Sequence, residues 1–118
     1  MMKDPAWKIL GGFLIILLLM IFSNVACGQV VVIEFNADWN KNNKVEWLGE
    51  LEDCDITKVD IVKEPKLQKK HKIIVVPTII IFKDGEEVKR FQADISFSMK
   101  ATREELQDVI NEQLMSDF

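Results

Sequence analysis

The chain has 118 residues, 48% of them apolar, and a formal net charge of −4. Lys3, Lys8 and Asp4 give residues 1–28 a net +1, which leaves −5 for the remainder. So acidic a domain argues against nucleic acid as a partner, because phosphate contacts need concentrated Lys and Arg, and the length allows one small domain behind a leader.

The leader comes first. Lys3 and Lys8 precede an apolar run from Ile9 to Phe22, followed by Ser23-Asn24-Val25-Ala26-Cys27-Gly28, the layout of a secretory signal peptide. Ala26-Cys27-Gly28 fits a small-x-small cleavage site before Gln29, and the run falls short of the ~20 residues that a spanning helix prefers. Two alternatives stand beside cleavage. Retention as a signal anchor would use Val25 and Ala26 to extend the apolar span, with Trp7 at the interface and the membrane as a partner. Lipidation of Cys27 would use the small Ala26, although Asn24 stands where an aliphatic residue is wanted. All three alternatives place residues 29–118 outside the cytoplasm, whether secreted, periplasmic or anchored in the envelope.

Val30 to Phe35 is β-branched and almost continuously apolar, which predicts a central strand covered on both faces. From Asn40 to Asp53, Val45, Trp47, Leu48 and Leu51 recur at roughly helical spacing, and Asn40 is placed to cap a short helix. Ile56 to Val62 has strand composition, and Glu64-Pro65 opens a second short helix with proline at its first position. Strand, helix and strand in that order imply a right-handed parallel crossover.

The run Ile73 to Phe82 is too long for one ordinary strand and contains Pro77, which cannot donate to a central ladder and so marks the strand's start. Asp84-Gly85 predicts a tight hairpin, with Glu87 to Gln92 returning antiparallel. Thr102-Arg103-Glu104-Glu105 is a capping box for a last helix whose apolar stripe, Leu106, Val109, Ile110 and Leu114, is interrupted by Gln113.

Glu34-Phe35-Asn36-Ala37-Asp38-Trp39, Val76-Pro77-Thr78 and Phe82-Lys83-Asp84-Gly85-Glu86 occur in the order found in thioredoxins, and with the Glu64-Pro65 helix start the chain resembles the thioredoxin-like superfamily over nearly everything after the leader. The resemblance implies a minimal α/β fold, β-α-β-α-β-β-α, with a mixed four-stranded sheet and helices on both faces. The strand and helix that open a full thioredoxin have no counterpart, and the first helix is about two turns shorter than the family's. The resemblance also implies a cis proline at Pro77 and a groove for an extended peptide at Trp39, Val76 and Pro77. Gln92 stands beside that groove in place of the family's usual glycine and makes its surface bulkier.

Where the family reads Trp-Cys-Gly-Pro-Cys-Lys, this chain reads Trp39-Asn40-Lys41-Asn42-Asn43-Lys44. A dithiol enzyme needs one thiolate at a helix N-terminus and a second thiol about one turn later. An amide is neither nucleophilic nor reducible, so thiol exchange at Asn40 and Asn43 is excluded by composition. Glu34 and Lys58 match the family's acid beneath the site and a lysine on the neighbouring strand; with no proton traffic to serve, they read as a buried charge pair.

Cys27 and Cys54 precede the first and second strands and are positioned for a structural disulfide if Cys27 survives processing. Neither has an activating motif. His71 reads as a packing residue, since no ligand spacing surrounds it, and no metal or other cofactor is expected. Lys63, Lys66, Lys69, Lys70 and Lys72 read as a solvated face or as a docking patch for an acidic partner, and Trp47 and Phe97 as core or interface.

Three functions follow as alternatives. The first is a noncatalytic module that binds or assembles with a protein or extended peptide, with Ile56 to Val62 an open sheet edge for strand addition. The second is an oxidoreductase using the non-motif cysteines or a partner's thiols. The third is a small membrane-anchored subunit of a larger complex.

Overall fold

The computed structural model describes residues 29–116, so the leader, its alternatives and Cys27 lie outside the described residues. Four strands, β1 (Val30–Asn36), β2 (Asp55–Asp60), β3 (Thr78–Lys83) and β4 (Glu86–Gln92), form one sheet in the order β2-β1-β3-β4. β1 runs parallel to β2 and antiparallel to β3, and β3 and β4 are antiparallel. Two helices complete the α/β fold, α1 (Pro65–Lys70) and α2 (Arg103–Met115).

Alternation along β1 builds two cores. Val30 and Val32 pack with Ile79 and Ile81 beneath Leu48, Leu51, Leu106 and Ile110. Val31, Ile33 and Phe35 pack on the other face with Ile80, Phe82, Val59 and Leu67. A strand buried on both faces must be apolar at every position, which is why β1 reads as a continuous run. The α2 start is a complete capping box: Thr102 Oγ1 accepts the Glu105 N–H at 3.2 Å and Glu105 Oε1 accepts the Thr102 N–H at 2.8 Å. Near its end, the Gln113 carbonyl accepts from the buried Lys83 Nζ at 2.9 Å, favourable for a cation beside a helix C-terminus.

Two expectations are corrected. The helix predicted over Asn40 to Asp53 is instead a pair of 3-10 segments, Asp38–Asn43 and Glu46–Glu50, separated by extended backbone at Lys44 and Val45. Val45, Leu48 and Leu51 are each three residues apart and all buried, a spacing that fits the three-residue 3-10 turn as well as it fits an α-helix. The second strand ends at Asp60 rather than Val62. Asp60 turns the chain, its Oδ1 accepting the Val62 N–H at 2.9 Å and its carbonyl the Glu64 N–H at 2.9 Å. Among the described residues β2 is an edge of the sheet, but the edge spans Asp55–Asp60 only.

The hairpin has φ of 53° at Asp84 and 86° at Gly85. Both central residues are left-handed, as the turn that matches strand twist requires. Pro77 lies one residue before β3, joined to Val76 by a cis peptide bond.

Candidate functional site

Three segments meet at one end of the sheet: the 3-10 turn after β1, the residues leading to Pro77, and the loop after β4. Asn40 joins them. Its side chain is buried, with 4% of its surface exposed. Nδ2 donates to Asn36 Oδ1 at 3.1 Å, to the Phe97 carbonyl at 3.2 Å and to the Val76 carbonyl at 3.4 Å. Its Oδ1 accepts from Asn43 Nδ2 at 2.9 Å. Asn40 is therefore not a helix cap; Ala37 occupies the cap position and has no side chain to offer the turn. The amide points sideways because a buried donor with three carbonyl-type acceptors around it is satisfied there and would be lost in the cap geometry.

Trp39 faces outward with 61% of its surface exposed, and its ring meets Phe97 edge-on at 5.4 Å between centroids. Val76 and Pro77 are buried, and among the described residues the Val76 N–H donates to no internal acceptor. Gln92 is exposed and paired in register with Thr78, and the next residue, Ala93, donates its N–H to the Pro77 carbonyl at 3.0 Å. Trp39 and Gln92 are thus exposed at this rim, Val76 and Pro77 are buried, and Asn43 and Lys44 are exposed on the segment that follows Trp39. A cavity of about 300 Å³ opens at Asn43, lined also by Lys44, Val45, Glu46, Trp47 and Ser98.

Glu34 and Lys58 are register partners, but only Glu34 is buried. Lys58 is exposed because β2 has no further strand beside it among the described residues, so the expected buried charge pair is a single buried acid. Burial pushes the Glu34 carboxyl above its ordinary range, opposed by the Val45 N–H at 3.2 Å and, more weakly, by Lys58 and Lys44.

Cys54 is half-buried against the α2-side core, and its thiol is pushed up to about 11 by burial, then by Asp55 and Asp53. At neutral pH it is a protonated thiol, not an attacking nucleophile. His71 closes α1: its ring lies 5.3 Å from Phe35 and 5.6 Å from Phe82, and its carbonyl accepts from Arg90 at 2.8 Å. Among the described residues no three His, Cys, Asp or Glu side chains gather as a metal site. Trp47 packs against the core, and Lys63, Lys66, Lys69, Lys70 and Lys72 are all exposed.

Sequence reasoning missed Asn36 as the anchor of Asn40, and two strongly exposed apolar side chains. Ile74 and Ile95 are 87% and 97% exposed, on the segment before Pro77 and on the loop carrying Phe97. Asn36, Asn40 and Asn43 at i, i+4 and i+7 were the available signal.

The thioredoxin family model matches residues 22–112. A thioredoxin of Chlamydia trachomatis is 33% identical over 75 residues, covering 58% of this chain and 74% of that protein. A Staphylococcus epidermidis thioredoxin is 34% identical over 61 residues, 52% of this chain and 53% of that one. Among solved structures, Fasciola hepatica thioredoxin superposes with a TM-score of 0.59 at 29% identity, covering 82% of this chain and 90% of that chain. Reduced Schistosoma mansoni thioredoxin pre-protein gives 0.63 at 25% identity, covering 80% and 88%. The chain belongs to the thioredoxin family.

Proposed function

We propose that this is a redox-inactive thioredoxin-family module that binds an extended segment of another protein outside the cytoplasm. The observation that carries the proposal is the contrast at the rim: Asn40 is buried and hydrogen-bonded where a thiol would react, while Trp39 beside it is 61% exposed. The Val76 N–H next to Pro77 has no internal acceptor among the described residues, which supports a peptide lying as an added strand, its carbonyl taking that donor. Ile74 and Ile95, both exposed, are apolar side chains that such a segment could cover. The high thiol pKa of Cys54 weighs against the oxidoreductase alternative. The leader's layout is the support for the extracytoplasmic placement.

A disulfide-reduction assay with insulin as substrate tests the chemistry. The expected result is no turnover above the buffer reductant, for the native chain and for Cys54→Ser alike; turnover lost in Cys54→Ser overturns the proposal. For placement, intact mass of the membrane and soluble fractions distinguishes cleavage before Gln29 from lipidation or retention.

A further inference from the structure

Asn40 and Asn43 have no role in sulfur chemistry, yet they are not idle polar substitutes. Asn43 donates to Asn40 Oδ1 at 2.9 Å, and that bond fixes which end of the Asn40 amide faces inward. With Oδ1 held outward, Nδ2 reaches the Phe97 carbonyl, 57 residues along the chain, at 3.2 Å. Phe97 sits in a loop closed on itself. The Phe97 N–H donates to the Asp94 carbonyl at 3.0 Å and the Asp94 N–H to the Ser98 carbonyl at 3.3 Å, while the Asp94 carboxylate accepts from the Ser96 N–H at 2.9 Å. The residue itself has a left-handed φ of 62°, a backbone state that a non-glycine residue adopts only when its surroundings hold it.

We propose that Asn40 and Asn43 act as one amide pair that positions loop 93–98 and so builds the wall of the peptide groove. The pair holds Phe97 against Trp39, on the loop that also carries the exposed Ile95. Nδ2 has two hydrogens for three acceptors, and the Val76 carbonyl at 3.4 Å is the most weakly held of them. A peptide N–H can take over that carbonyl while both hydrogens keep a partner in Asn36 and Phe97. The groove therefore yields its acceptor without stranding a buried donor. What the wall recognises rests on the peptide-binding proposal above; the positioning of the wall does not.

Amide hydrogen exchange on the full chain, without any ligand, tests the positioning directly. In Asn40→Ala, the Asp94 and Phe97 amides should exchange about fivefold faster, the worth of one ordinary hydrogen bond, with β1 amides unchanged. Asn43 is exposed, so Asn43→Ala leaves the core intact and should give a smaller acceleration at the same two amides. Trp39 should become more accessible to acrylamide in both variants. Loop exchange that stays at the native rate in Asn43→Ala, or that rises in both variants only in step with β1, overturns the proposal. If Asn40→Ala does not fold, Asn43→Ala alone decides. Failure to bind any peptide would count against the groove and leave the exchange result standing.

Discussion

Under α2 the sheet buries a carboxylate, Glu34, and under α1 it partly buries an imidazole, His71. Both faces are built mainly of apolar side chains, and on both the charged form of the titrating group is disfavoured by burial. The consequences have opposite sign. Glu34 has its pKa raised, so the fold is favoured with the acid protonated, and that stability is lost as pH rises from the ordinary 4.5 through the raised value. His71 has its pKa lowered by burial and then by Lys70, with Glu87 opposing and Arg90 adding to the shift. Its contribution is complete above the ordinary 6.5 and is lost as pH falls from there. The two faces teach that similar apolar packing can tune a domain against base on one side and against acid on the other.

The comparison breaks most severely through the cores themselves. Leu106 is fully buried on the long, capped α2, and Leu106→Ala should lower stability by about 2–5 kcal/mol in urea unfolding. Leu67→Ala, on a helix of six residues that can settle into the gap, should fall at the low end of that range. Equal losses would mean that the two faces are equally rigid. Glu34→Gln keeps an acceptor for the Val45 N–H and removes the buried charge, so it should stabilise by ~1–2 kcal/mol at neutral pH. The gain should fade below about pH 4.5, where the native acid is protonated in both states. A gain that persists there would assign the effect to packing instead of charge. The smallest effect belongs to His71→Phe, which should flatten the decline of Tm as pH falls below the ordinary 6.5 without altering the Glu34 side of the profile.

Much of the fold was legible because its signals are local. The unbroken run in β1, the left-handed pair Asp84-Gly85 and the reciprocal bonds of Thr102 and Glu105 each need only neighbours in sequence. The 3-10 pair was missed because a three-residue apolar spacing fits two helix types, and their choice depends on how the chain settles over the core. Asn40 was misread as a cap for a different reason. Two of its acceptors lie 36 and 57 residues away, and no local rule can bring them to it. The exposure of Lys58 likewise depends on what flanks β2, not on the residue beneath it.

A two-way clasp joins the backbone just after the second 3-10 segment to a side chain in the second turn of α2. The Glu52 N–H donates to Gln107 Oε1 at 2.9 Å and Gln107 Nε2 to the Glu52 carbonyl at 3.1 Å. These partners stand 55 residues apart, with β2, α1, β3 and β4 inside the loop they close. On the ribosome, Glu52 must keep both of its backbone groups hydrated until the last helix emerges, so α2 is the seam that finishes a turn made half a chain earlier.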